Sequence, residues 1–161
     1  MGRQQKRRRT TTGYLFIEKI YEQDGEHFLK YLLDTNICVY FLNGNTVIEK
    51  KVAKLGISLI AVCNSVLAEL YFGAYNSQKV AENLQRIDLF KEYLSILSDS
   101  EESGMLFGRI KAELKRKGSL IEDFDILIAS TAMANRCVLV TNNDKHFSRI
   151  EGLQTENWLE Q

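Results

Sequence analysis

The stretch Lys30-Tyr31-Leu32-Leu33-Asp34-Thr35-Asn36 decides the fold. Tyr31, Leu32 and Leu33 are three large apolar residues that run straight into a carboxylate. A short apolar run ended by a polar break predicts a buried strand of a parallel sheet. Asp34 then stands at the strand's carboxyl end, where open α/β sheets bind ligands. Two later stretches set acids in similar surroundings: Leu67-Ala68-Glu69-Leu70, and Ile121-Glu122-Asp123-Phe124-Asp125-Ile126-Leu127-Ile128-Ala129. The expectation is that Asp34, Glu69 and Asp125 converge on one metal-binding pocket.

Outward from that strand, the pattern alternates. Residues 37–42 continue as a short helix, closed by the turn signal Asn43-Gly44-Asn45. Val47, Ile48, Val52 and Leu55 fall at helical spacing and Gly56 stops that helix. Residues 57–62 predict a second buried strand. Asn64 or Ser65 is expected to cap a helix that carries Glu69 and ends near Tyr75. A long helix is expected over 78–94, a short strand over 93–97 and another helix over 101–117. Asp123 or Phe124 opens a further helix to Ala134, and Val138-Leu139-Val140 reads as a short buried strand. Thr141-Asn142-Asn143-Asp144 breaks it before a short helix, and Gly152-Leu153-Gln154 is placed as an edge strand. Strands alternating with helices predict an α/β chain with a parallel sheet flanked by helices. Right-handed crossovers would put every strand's carboxyl end on one side, which lets distant acids meet.

Composition excludes several classes. At 161 residues the chain suits one domain with a real core. Its hydrophobic fraction of 45% is ordinary for a globular protein, and it has no proline to interrupt helices. No apolar run approaches the roughly 20 residues of a membrane span. The basic start from Arg3 to Arg9 is followed by an apolar stretch of only Tyr14 to Ile17, too short for a secretory segment, so a cytoplasmic protein is expected. Cys38, Cys63 and Cys137 are odd in number and far apart, which excludes a zinc knuckle and predicts buried free thiols. Of the 21 basic and 21 acidic residues, six and four lie in 1–29, leaving 15 and 17 in residues 30–161. A basic field over the whole domain is therefore absent. Residues 1–29, with Arg7-Arg8-Arg9-Thr10-Thr11-Thr12, are expected to be disordered or loosely attached, with a short helix near Phe16 to Tyr21. The basic cluster there reads as a solvated tail or a start codon set too far upstream, with RNA contact as the alternative.

A carboxylate among apolar residues is unfavourable without a partner. Magnesium or manganese would supply one, because hard cations prefer oxygen ligands, activate water and stabilise charge on a phosphoryl group. Each acid also has a plainer role open to it. Asp34 could cap the helix that follows, Glu69 could pair with a lysine, and Asp125 could serve the helix dipole. Asp123 is expected to cap its helix and Glu122 to be solvated. His27 and His146 lack ligand spacing and are expected to be structural or surface residues. Thr35 and Thr141 could hydrogen-bond the acids, or act in turns and caps.

These residues carry a resemblance to PIN-domain ribonucleases, and within them to VapC-type toxins of bacterial toxin–antitoxin modules. Leu32-Leu33-Asp34-Thr35-Asn36 resembles the family's opening motif, and Leu67 to Ala74 resembles its second. Asp125-Ile126-Leu127-Ile128-Ala129 resembles the third. Val140-Thr141-Asn142-Asn143 through Phe147, then Glu156-Asn157-Trp158, resembles the ending. The resemblance runs from about Lys30 to Trp158 and has no counterpart for the first 29 residues. It implies a three-layer α/β/α sandwich with a central parallel sheet over residues 30–161. It further implies a Mg²⁺- or Mn²⁺-dependent endoribonuclease with Asp34, Glu69 and Asp125 as catalytic and metal-binding acids. Thr35, Asn36, Thr141 and Asn143 are the supporting residues, Asn143 standing where many relatives have a fourth acid. The implied partners are an RNA substrate, a cognate antitoxin and a second copy of the chain. A degenerate domain that only binds RNA or protein is the competing reading. A haloacid-dehalogenase-like phosphatase is a weaker one, since it needs an acid where this chain has Asn36.

Overall fold

A computed structural model describes residues 30–160. The expectations for residues 1–29, including the short helix and His27, lie outside the described residues. Five strands form one sheet: β1 (Tyr31–Leu33), β2 (Ile60–Cys63), β3 (Ser95–Leu97), β4 (Val138–Val140) and β5 (Thr155–Glu156). Their order is β3-β2-β1-β4-β5 and every pair is parallel. Among the described residues seven helices accompany them: α1 (Thr35–Leu42), α2 (Thr46–Leu55), α3 (Asn64–Tyr75), α4 (Val80–Lys91), α5 (Glu101–Arg116), α6 (Asp123–Ala134) and α7 (Asp144–Phe147). The result is the expected three-layer α/β/α sandwich.

Strand β1 is central because both of its faces and both of its edges are covered. Leu32 and Leu33 are fully buried, and Leu32 pairs with Ala61 on one side and Leu139 on the other. The chain leaves β1 toward β2 and β3, then crosses back to β4 on the opposite edge of β1. The sheet order therefore reverses between β1 and β4, the kind of switch point outside which open α/β sheets bind ligands. Asp34 N–H bonds the Val140 carbonyl at 2.9 Å, so the two strand ends are held together at that point.

Several boundaries differ from the sequence reading. Residues 57–59 form a 3₁₀ turn, and β2 starts only at Ile60. Gly56, at φ +95°, redirects the chain there, and Ile57 is buried under the turn instead of in a strand. An apolar run fixes burial, not backbone form. Neither Asn64 nor Ser65 caps α3; Cys63 holds the cap position without a side-chain bond. Helix α4 is shorter than 78–94 because the Ser77 hydroxyl organises the preceding turn. It donates to Ala74 O at 2.7 Å and accepts from Lys79 N at 3.2 Å and Asn83 Nδ2 at 2.9 Å. Asp123 is the first residue of α6, not its cap, and its carboxylate pairs with Lys111 at 2.7 Å. The edge strand falls on Thr155–Glu156, since Gly152 at φ +81° turns the chain where a strand was expected. Cys38, Cys63 and Cys137 are buried free thiols, as their spacing implied.

Candidate active site

Asp34 is the hinge between β1 and α1. Its backbone is extended (φ −69°, ψ 158°) and its Oδ1 accepts the Thr35 N–H at 2.8 Å, so it does cap α1. Capping uses one oxygen. The other, Oδ2, accepts from the Thr141 hydroxyl at 2.8 Å. Thr141 follows β4 directly and is fully buried, and Asp34 itself is only 4% exposed. A carboxylate this buried needs such donors. Burial pushes the Asp34 carboxyl above the usual carboxylate range. The bonds from Thr141 and Thr35 pull it back, and the charges of Asp125 and Glu69 push it further up. Asp34 therefore feels both of the other predicted acids.

Glu69 is half-buried on α3 and accepts a hydrogen bond from the Thr35 hydroxyl. Thr35 thus serves two acids, through its backbone N–H and its side chain. Asp125 lies in the first turn of α6, the helix that touches α3. Its Oδ2 lies 2.5 Å from His146 Nδ1 on α7. Of the two roles the sequence reading left open for His146, structural or surface, the contact with Asp125 fits the structural one. Its signal was weak: a lone imidazole whose partner is 21 positions away on another helix. What could have drawn notice is its place in the segment that follows a buried strand at the ligand-binding end of the sheet.

The remaining supporting residues divide. Asn143 occupies the cap position of α7, with its backbone N–H bonded to Thr141 Oγ1 at 2.9 Å and no capping bond from its side chain. Asn36 is exposed on α1 and has no side-chain hydrogen bond among the described residues. The structure thus ties Thr35, Thr141 and the backbone of Asn143 into the acid cluster and leaves Asn36 out of it.

Below the acids lie two thiols, Cys38 and Cys63. Burial holds the Cys38 thiol well above its ordinary value, and the Asp34 charge adds to that. Burial likewise pushes Cys63 up to about 11. Both are neutral at pH 7 and act as core packing, with no thiolate to serve as nucleophile or ligand.

The cluster can act on a cation or on a group that a cation would hold. Its donors are hard oxygens, and their mutual repulsion is what helps to raise Asp34. Among the described residues no three or more His, Cys, Asp or Glu side chains are placed so that, as they stand, they could hold a metal ion together. Each acid is instead turned onto a hydroxyl, a backbone N–H or an imidazole.

Residues 31–153 match the PIN domain family. The chain is 41% identical over 132 residues to "Ribonuclease VapC2" of Rickettsia felis, covering 80% of this chain and 97% of that one. It is 34% identical over 130 residues to the "tRNA(fMet)-specific endonuclease VapC" of Shigella flexneri, covering 81% and 98%. Among solved structures it resembles VapBC2 from Rickettsia felis bound to a promoter DNA fragment. That match has a TM-score of 0.74 at 39% identity and covers 81% of this chain and 99% of the other.

Proposed function

The chain belongs to the PIN-domain family, and from that premise we propose that it is an endoribonuclease, the toxin of a toxin–antitoxin pair, cutting RNA by metal-assisted hydrolysis at Asp34, Glu69 and Asp125. The observation that carries this reading is Asp34. It is buried at the sheet's reversal point, in a cradle of donors, and feels the charge of two further acids. A carboxylate kept there against repulsion suits a site whose acids are offset by a cation.

Asp34, Glu69 and Asp125 would hold Mg²⁺, or Mn²⁺ in its place. When bound, such an ion polarises the phosphoryl group and lowers the pKa of water. The chain's own residues do the positioning. Thr141 and the Thr35 N–H fix both oxygens of Asp34, and the Thr35 hydroxyl holds Glu69. The phosphatase alternative falls away with membership of the family. A cytoplasmic location fits an RNA substrate, and no helix among the described residues is long and apolar enough to cross a membrane.

The partner is an antitoxin protein that covers the acids. Helices α1 and α3 start from and carry Asp34 and Glu69, and they also expose Val39, Tyr40, Phe72 and Tyr75. Phe72, one helical turn past Glu69, is 71% exposed. An apolar face beside a negative pocket suits a partner with an apolar helix and a cationic side chain for the acids.

The test is to express the chain with and without the neighbouring gene and map new RNA 5′ ends across the cell. Cuts are expected only when the neighbour is absent. The Asp34→Asn protein should leave none, its purified activity in Mg²⁺ falling by more than about 100-fold, and EDTA should silence the wild type. Full cleavage by purified Asp34→Asn, or in metal-free buffer, would reject the mechanism.

A further inference from the structure

One titratable side chain touches the acids and has no part in the reading above. His146 Nδ1 lies 2.5 Å from Asp125 Oδ2. The Asp125 side chain is 17% exposed and takes no other hydrogen bond among the described residues. With Asp125 ionised, Nδ1 must carry the proton, because a carboxylate only accepts. One carboxylate oxygen is then engaged and the other is free.

The backbone that carries the imidazole is anchored. Helix α7 is anchored by Phe147, which is 1% exposed and part of the core. Backbone bonds from His146 N and Phe147 N to Asn143 O, at 3.1 and 3.2 Å, close the turn. At the start of the same segment, Asn143 N–H donates to Thr141 Oγ1, which in turn donates to Asp34 Oδ2. A single segment from Thr141 to Phe147 therefore reaches two acids carried by two different elements. It grips Asp34 with a hydroxyl and Asp125 with an imidazole.

We propose that His146 is the positioning residue of Asp125, its Nδ1–H holding Oδ2 so that the other oxygen is presented to the divalent cation. This inference rests on the metal reading above and deepens it. A mostly buried aspartate in the first turn of a helix can still take more than one rotamer, and it must be held in one before it can serve as a ligand. A hydrogen bond to one oxygen supplies that restraint and fixes the imidazole tautomer. Side chains that orient ligands in this way typically change metal affinity about 10–100-fold when removed.

The test uses the full chain and Mn²⁺ as the probe, read by calorimetry and by the rise in melting temperature with added Mn²⁺. His146→Ala is expected to weaken Mn²⁺ binding about 10–100-fold while leaving the metal-free melting temperature near that of the wild type. His146→Asn, whose amide N–H can stand where Nδ1–H stood, should recover most of the affinity. His146→Gln, whose amide reaches the Nε2 position instead, should not. Wild-type Mn²⁺ affinity in His146→Ala, or equal affinities in the Asn and Gln variants, would overturn the proposal. If His146→Ala fails to fold, the Asn and Gln comparison decides alone. Failure of the underlying metal reading looks different: the wild type would show no saturable Mn²⁺ binding, or Asp34→Asn would bind as tightly as the wild type.

Discussion

Asp34 does two jobs that conflict. It caps α1, which stabilises the fold, and it sits buried beside two like charges, which does not. Because burial raises its carboxyl in the folded state, the folded protein keeps that proton to higher pH than the unfolded chain does. The metal-free protein should therefore lose stability as pH rises from the unfolded value of about 3.9 through the raised folded one. Asp34→Asn removes this ionisation and retains a capping oxygen. Its metal-free melting temperature at neutral pH should equal or exceed that of the wild type, and the difference should shrink toward pH 4. Thermal melts across that range check it, and a variant that melts several degrees lower at pH 7 would contradict it. Thr141→Val removes the donor to Asp34 and the acceptor of Asn143 N–H together. Stranding such groups costs roughly 1–3 kcal/mol. Urea unfolding should show that loss, and Mn²⁺ affinity should fall about 10–100-fold. An unchanged affinity would mean that the hydroxyl serves only the fold.

At the scale of elements, the metal reading proposed above makes the segment after β4 the one that would set how many charges face a bound cation. Asn143 stands there without a capping bond from its side chain, at the position where the family resemblance implies a fourth acid. Asn143→Asp should lower the metal concentration for half-maximal cleavage, since another carboxylate attracts divalent ions. It should also cost metal-free stability through like-charge repulsion. Asn143→Ala should be milder than Asp34→Asn, because it loses only a neutral amide. Metal titrations of the three proteins rank them, and an Asn143→Ala protein as inactive as Asp34→Asn would make Asn143 a primary catalytic group. The same segment shows what the sequence could reveal. Asp34 and Asp125 were legible because each interrupts an apolar run, and Glu69 because it is bracketed by apolar residues. The link from Asp125 to His146 was not, because it joins two helices and leaves no local spacing. Helix α5 was legible almost to the residue, with Glu101 and Glu102 at its start and Lys115 and Arg116 at its end. The start of β2 was not, since Ile57 is as apolar in a buried turn as in a strand.

At the scale of the molecule, alternating apolar runs sufficed for the layer architecture and the parallel sheet, but not for strand order, which is a property of crossovers. The family resemblance also implies a second copy of the chain as a partner, which is a prediction at this scale. Light scattering should give about twice the 18.5 kDa chain mass, and a monomer at every concentration would remove the homodimer. The strand order has a further consequence, in time. The central strand β1 is made early, yet its neighbour β4 comes last but one, and the Asp34–Thr141 contact spans 107 positions. At synthesis rates of about 5–20 residues per second, on the order of 5–20 s pass between the two. Throughout that interval one edge of β1 has no partner, and Asp34 lacks its buried hydroxyl. A ribosome that stalls before Val138 releases a chain without β4, and so without an assembled site. On the function proposed above, the acid pocket of such a chain is completed only once β4 and Thr141 have been made.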